Sequence, residues 1–574
     1  MSVSKTRKRR GRFTRTAMFL GASAAALGWV TTASADLSPE ELAAARQNAT
    51  QLSRDGQCTQ AMPIWEQLGA MQGRASDYLD AANCAINAGD NQRAVDDLWE
   101  VVRRRDQLET DAQVFALRSL GYQAEAIGDW DRSLIGWDYA SQISDAPLDK
   151  LQAARAARLG GRTGNAQTRL MQIRPGDFTG TDLALYYDEQ AQILRETQPA
   201  MAAQYQARAI GIDDQAWRRF DHGLMLQAAG EPRAAIGEFR AVLAQDPENT
   251  DVRLSLAYAL RGIGENAEAA SQFAEVIARQ PGNADIREDR AYALKDAGDE
   301  AGAAAAFTGV IDLLMAQGGE TADAERLYRV RREVTELERR VSGFAYASYR
   351  TEGVSLTGGL QNNATYGSLG AEINWRPDGL YETGRGVSLF ARGYAGMEPG
   401  SFTLDTDSTQ LGFGARWKPF AAADFNLSAE RLVALGDTAR DDWLLRASYG
   451  WTNGYDWNPV ADSWNYTSLY ADLAYIPGDD EYLGAYAQFR QGRRFRTGEG
   501  WAVTPYVTAV AQYSDDQFGS QDRFEVGPGV SFSRWFDSDD HHAYRRRVDF
   551  DVEYLFDVEG DGDDALIARM VFSF

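Results

Sequence analysis

At 574 residues the chain is too long for one ordinary domain and is sized for two to four. Hydrophobic residues at 44% and charged residues at 25% exclude both a disordered chain and a helical membrane protein. A net charge of −24, deeper still once the basic first 35 residues are set aside, repels phosphate backbones and argues against nucleic acid as a partner.

The N-terminus reads as a secretory signal peptide over residues 1–35. Lys5, Arg7, Lys8, Arg9, Arg10, Arg12 and Arg15 form a basic stretch, and an uncharged run over residues 16–35 follows, most apolar over 17–30. It ends in Ala33-Ser34-Ala35, a small-x-small pattern that predicts cleavage between Ala35 and Asp36. An apolar core of about 14 residues is short for a bilayer of roughly 30 Å, which favours a cleaved peptide over an anchor. No cysteine follows the cleavage point to carry a lipid, and no later window offers 18 consecutive apolar residues. The mature chain is expected outside the cytoplasm of a bacterium, with no helix crossing a membrane.

From residue 36 to about 318 the sequence repeats. Gly230, Gly264 and Gly298 recur every 34 residues, as do Phe239, Phe273 and Phe307, and Ala235, Ala269 and Ala303; Pro247 and Pro281 share the interval. This resembles the tetratricopeptide repeat, a helix–turn–helix unit of that length. The glycine turns the chain between helices, the alanine permits close approach, the phenylalanine fills the gap, and the proline ends the second helix. Looser copies precede these. Gly56, Gly89, Gly128 and Gly161 hold the turn, and Trp65, Leu98, Trp137, Leu170 and Tyr205 hold the large apolar position. About eight repeats are predicted, stacked as a solenoid with a concave groove. Tyr258, Arg261, Tyr292 and Lys295, on first helices and off the packing positions, are groove candidates for an extended polar ligand such as a glycan or peptide; the alternative is ordinary exposed helix surface. Cys58 and Cys84 could bridge two repeats in an oxidising compartment, or lie buried as free thiols. Residues 319–342 are expected to be a helical linker.

From residue 343 to 574 the character changes. Of 63 aromatic residues, 40 lie here, and helical spacing gives way to alternation. Leu566, Ala568, Met570, Phe572 and Phe574 point one way, and Ile567, Arg569, Val571 and Ser573 the other. Phe572 and Phe574 resemble the closing-strand signal of a bacterial outer-membrane barrel, which implies the barrel-assembly machinery and outer-membrane lipid as partners. Leu411, Phe413, Ala415 and Trp417 alternate in the same way, as do Trp443, Leu445, Ala447, Tyr449 and Trp451, and Val548, Phe550, Val552, Tyr554 and Phe556. A β-sandwich satisfies the same period by burying the apolar face, whereas a membrane barrel turns that face outward. Trp375, Trp417, Trp451 and Trp501 at segment ends look like interface girdles and favour the barrel. About twelve alternating segments predict a 12-stranded transmembrane antiparallel barrel, within a range of 10 to 16.

Alternation sends Glu372, Arg392, Arg416, Glu430, Arg446, Asp472, Arg490, Glu525, Asp549, Asp551, Glu553 and Arg569 into the lumen, with Tyr394, Tyr470, Tyr486 and Tyr506. Mixed signs suit a hydrated bore without strong charge selectivity, with the tyrosines as stacks for sugar rings. Equally, the opposite charges could pair and close the barrel.

SAERLVALG (428–436), DDWLLRASYGW (441–451), SLYADLAYI (468–476), SRWF (533–536) and VDFDVEY (548–554) resemble the C-terminal domain of the phage adsorption protein NfrA family, over about residues 415–574. The resemblance implies an outer-membrane protein with periplasmic tetratricopeptide repeats. It further implies export of an exopolysaccharide in partnership with an inner-membrane glycosyltransferase, and use by phages as a receptor. The competing reading is an outer-membrane translocator of surface proteins or lipoproteins. An enzyme is not expected. Three histidines and two cysteines leave little for a metal site or a Cys/His pair, no G-x-S-x-G or H-E-x-x-H motif appears, and no cofactor is implied.

Overall fold

The computed structural model describes residues 38–351, 367–382, 384–397, 403–478, 481–516, 519–560 and 563–574. Its compact units divide at Glu196/Thr197. The predicted cleavage pair, Ala35 and Asp36, lies outside the described residues.

The first unit is helical: α1 (Pro39–Arg54), α2 (Cys58–Gln72), α3 (Ala75–Ala88), α4 (Asn91–Arg103), α5 (Thr110–Ala126), α6 (Trp130–Ser144), α7 (Pro147–Leu159), α8 (Thr163–Leu170) and α9 (Gly180–Leu194). The turns between paired helices fall where the sequence places them. Gly56, Gly89, Gly128 and Gly161 all have positive φ, a conformation that costs glycine nothing. Close packing also uses glycine within a helix. A Cβ on Gly121 would come within 2.4 Å of the indole of Trp137, which lies buried between α5, α6 and α7. Neighbouring first helices are joined by arginine–carboxylate pairs. Arg46 meets Asp77 at 2.7 Å, Arg118 meets Asp149 at 2.9 Å and Arg158 meets Glu189 at 2.7 Å. Each partner lies 31 residues ahead, close to a repeat length less one helical turn. Each carboxylate is buried, so its arginine is needed to keep the charge satisfied. Cys58 and Cys84 are both buried, without a disulfide between them; Cys84 Sγ lies 3.1 Å from Ser53 Oγ. Burial, then the neighbouring Cys58, push the Cys84 thiol up to about 11.

The second unit continues with α10 (Pro199–Ile212), α11 (Ala216–Ala228), α12 (Pro232–Gln245), α13 (Thr250–Gly262), α14 (Asn266–Arg279), α15 (Ala284–Asp296), α16 (Glu300–Ala316), the single turn α17 (Gly319–Ala322) and α18 (Ala324–Glu338). Gly230, Gly264 and Gly298 again turn at positive φ. Phe239, Phe273 and Phe307 are fully buried, as the 34-residue register requires. Gly223 makes room for Phe239, whose ring would stand 2.4 Å from a Cβ there.

The rest of this unit is antiparallel sheet: β1 (Val341–Arg350), β2 (Gly367–Trp375), β3 (Tyr381–Glu382), β4 (Arg385–Met397), β5 (Leu404–Lys418), β6 (Asp424–Ala434), β7 (Trp443–Asn453), β8 (Ser463–Ile476), β9 (Tyr482–Gly498), β10 (Trp501–Asp516), β11 (Gly519–Phe536), β12 (Arg546–Gly560) and β13 (Ala565–Ser573). β3 is a two-residue ladder on the foot of β4, and β2 pairs past it with β4. β1 pairs with both β2 and β13, so the twelve strands other than β3 close into a barrel, as the alternation predicts. Among the described residues, closure pairs each of these twelve strands on both sides. The prolines at 505 and 528 lie inside β10 and β11 without interrupting them, opposite Val530 and Val507.

Candidate functional site

The barrel carries its apolar side chains outside and its polar side chains inside. Phe413, Leu445, Val507, Phe550 and Met570 stand exposed on the outer face. Glu430, Thr508, Glu525, Ser533 and Glu553 are buried on the inner one. A β-sandwich would show the reverse. Trp375, Trp417, Trp451 and Trp501 are each about half exposed and sit at the strand ends nearest α18. Among the described residues no helix is long and apolar enough to cross a membrane.

Inside, the charges pair, and several pairs reach past intervening strands. Arg490 on β9 bonds Asp551 at 3.2 Å and also Glu553, both on β12, and Tyr506 donates to Glu553 at 2.6 Å. Arg350 on β1 meets Glu525 on β11. Arg392 on β4 reaches Glu430 on β6, and Arg416 on β5 reaches Glu372 on β2 at 2.8 Å. Arg446 and Asp472, on neighbouring β7 and β8, lie 3.0 Å apart. The lumen candidates Arg416, Arg446, Asp472, Arg490, Asp549, Asp551 and Glu553 therefore point inward and are already engaged with one another or with close neighbours. Tyr486 and Tyr470 face each other, 6.2 Å between ring centroids. Arg569 points inward beside Asp551, its register partner across β12 and β13.

The pairs made by Arg490 and Arg350 lie in the half of the bore that is filled. Around β9 to β13 the inner face is closed by Arg490, Tyr506, Val510, Glu553, Leu555 and Ile567. Nearer α18, Arg494 donates to Thr504 Oγ1 at 2.9 Å and lies over Tyr466 and Trp535. Arg547 donates to Asp549 at 2.8 Å and lies over Tyr455 at 3.9 Å. The other half, around β2 and β4 to β8, opens into a polar cavity of about 440 Å³.

Alternation did not flag Arg350, Arg494, Arg547 or Asn374, although parity contains the signal. Arg494 shares a face with Arg490 four residues earlier, and Arg547 with Asp549 two residues later.

The barrel end nearest α18 is held to it by the loop over residues 537–545. His541 bonds Asp312 at 2.8 Å, and His542 bonds Glu338 at 2.8 Å and Asp539 at 2.7 Å. The Ala543 amide donates to Thr335 at 3.0 Å, and Arg332 pairs with Asp456 at 2.7 Å. Tyr328, Tyr544 and Trp457 pack between them. Burial opposes the charged form of His542, but the Glu338 and Asp539 carboxylates outweigh it and raise its pKa.

The groove candidates come together on α13 and α15, each already engaged. Tyr258 donates to Asp289, and Arg261 meets the same carboxylate at 3.1 Å. Arg261 also lies over Tyr292 at 5.8 Å, and Lys295 pairs with Glu333 on α18. Asp289 lies 31 residues beyond Tyr258, the spacing at which other repeats are joined. These side chains therefore staple successive helices as well as lining a surface. Phe572 and Phe574 stack on each other at 5.7 Å. Gly343 and Phe574 exchange backbone hydrogen bonds at 3.0 Å, which extends the β1–β13 seam by one pair. No group of three or more histidine, cysteine or acidic residues among those described is placed to hold a metal.

Against known proteins, residues 401–570 match the family described as bacteriophage N adsorption protein A C-term, and residues 226–287 match a tetratricopeptide repeat family. The bacteriophage adsorption protein A of Escherichia coli (strain K12) is 25% identical over 456 residues, 76% of this chain and 46% of that protein. The chain thus spans about half the length of that curated relative. Solved structures with similar helices include a tetratricopeptide repeat protein from Parabacteroides merdae ATCC 43184, at 14% identity and a TM-score of 0.32 over 45% of this chain and 96% of that one. Another is YrrB, a tetratricopeptide protein with an unusual peptide-binding site, at 20% identity and a TM-score of 0.26 over 29% and 87%. The chain joins tetratricopeptide repeats to a C-terminal β-barrel that carries the match to the bacteriophage N adsorption protein A family.

Proposed function

We propose that this is a bacterial outer-membrane protein, its barrel in the bilayer and its repeats in the periplasm. In this reading it serves export or surface assembly of an exopolysaccharide, with the repeats as a docking scaffold and no chemistry of its own. The observation that carries the membrane part is the inverted barrel. A band of exposed aromatic and aliphatic side chains surrounds buried ion pairs, an arrangement favourable in lipid and costly in water. Closure pairs the backbones of the twelve barrel strands with one another, which hydrocarbon demands.

The family match supports the export role through what its resemblance implies, with an inner-membrane glycosyltransferase as the partner that supplies the chain. The curated relative's name extends the reading to a phage receptor, presented on the barrel end away from α18.

Two measurements test it. Outer-membrane fractionation with heat-modifiable gel migration checks the barrel; a mature chain that stays monomeric and dissolved without detergent overturns it. A deletion strain should lose a surface or matrix polysaccharide while its surface lipoproteins remain. The opposite outcome would favour the protein-translocation reading.

A further inference from the structure

We infer that the open half of the bore is a binding site for an acidic saccharide segment. This rests on the export reading for the route by which a saccharide arrives, but not for the chemistry of the site. The cavity of about 440 Å³ lies within the size range of sites for small ligands. It differs from the filled half in how its charges are layered. Glu372 and Glu430 are buried in its wall, held there by Arg416 and Arg392. The guanidinium groups stand further out: the side chains of Arg416 and Arg392 are 28% and 22% exposed, against 7% and 2% for their carboxylate partners. A ligand entering the cavity therefore meets the cations first.

Two further cations are held loosely. Arg376 has its carboxylate partner, Glu336, only at 4.0 Å and lies over the ring of Tyr381. Lys418 has Asp424 at 3.3 Å, and that carboxylate is largely exposed to solvent. Both can exchange an exposed or distant partner for a ligand anion at little cost, which Arg392 and Arg416 cannot do without leaving a buried carboxylate unpaired. In a chain of net charge −24, a cavity fronted by cations selects for negative charge.

The remaining lining suits a hydroxylated chain and not a bare anion. Tyr470 presents an accessible ring. Asn374, Asn426, Ser428 and Ser448 add amide and hydroxyl groups to the lining. An aromatic face, amide and hydroxyl groups and forked cations together match a sugar chain bearing carboxylates.

The test uses the full chain in detergent and fluorescence anisotropy with a labelled tetragalacturonate, set against labelled maltotetraose and competing inorganic phosphate. The acidic tetramer is expected to bind saturably and at least about tenfold more tightly than the neutral one, the loss of one charge-assisted bond being worth about that factor. The double variant R376Q/K418Q should erase that preference, and R376K/K418R should retain it. Neither residue holds a buried carboxylate, and unchanged heat-modifiable migration of both variants would show that the barrel is intact. Equal binding of the two tetramers, no saturable binding, or full acidic binding by R376Q/K418Q would overturn the proposal. Displacement by phosphate at concentrations matching the tetramer would reduce the site to a plain anion site and overturn its saccharide part. Loss of polysaccharide export in cells is a separate readout, so failure of the export reading and failure of this one are distinguishable.

Discussion

The ring of Phe574 lies where a side chain on Gly343 would be: a Cβ there would stand 2.7 Å from the Phe574 Cζ and 2.5 Å from the Glu372 carbonyl oxygen. The two residues also exchange backbone hydrogen bonds at 3.0 Å, at the seam where β1 and β13 close the barrel. A glycine at this place lets an aromatic ring cover the seam. Gly343→Val should therefore destabilise the closed barrel by roughly 1–3 kcal/mol, the usual cost of overpacking. The midpoint of heat-modifiable migration would fall. An unchanged midpoint would show that the ring does not cover the seam.

The pair made by Arg490 with Asp551 and Glu553 is buried on all sides. Removing the cation alone strands two carboxylates. Arg490→Met should cost roughly 3–5 kcal/mol, whereas Arg490→Met with Asp551→Asn and Glu553→Gln should recover much of the loss. Detergent unfolding of the single and triple variants checks this, and a triple variant no better than the single would refute it.

Asp97 on α4 is a buried carboxyl whose Oδ2 has no hydrogen-bond partner among the described residues. Burial first, then the nearby Glu66, push its pKa from 3.8 up to about 7. The folded state thus holds the proton more tightly than the unfolded chain. Its effect on stability falls as pH rises from about 4 to about 7 and stays low above that. Asp97→Asn should raise the thermal midpoint of the full chain at pH 8 and leave it little changed near pH 4. A variant less stable than wild type at both pH values would contradict this.

His542 shows the opposite sign. Its raised pKa, won against burial by Glu338 and Asp539, means that its contribution is complete below the ordinary value of 6.5 and is lost as pH rises through the folded value. The loop over residues 537–545 should be cleaved faster by trypsin relative to other sites as pH rises from about 6 to about 9. His542→Gln should be cleaved readily throughout that range. Equal pH dependence in the two proteins would remove His542 as the cause.

The repeats show how far local pattern reaches. The turn glycines, the small alanines and the buried phenylalanines each follow from a 34-residue period, because each repeat buries its face only against its neighbours. The barrel strands were legible for a similar reason. Alternation with period two assigns Arg490, Asp549 and Glu553 to one face and Phe550 and Tyr554 to the other before any partner is known. The groove candidates follow from their place on first helices, off the positions of the repeat signature. Pattern alone did not reveal that Asp289 would already engage Tyr258 and Arg261, because that partner lies on the next repeat's first helix.

Period and parity were thus settled by the sequence: which segments are helix or strand, where the turns fall, and which side chains share a face. These depend on neighbours within a few residues or one repeat. Which inward charges meet was decided only by closure of the sheet. Arg350 and Glu525 are 175 residues apart, and Arg490 and Glu553 are 63 apart. Strand tilt and stagger set those pairings, and with them which half of the bore is filled and which stays open, since register around a closed barrel is a property of the whole ring and of no single strand.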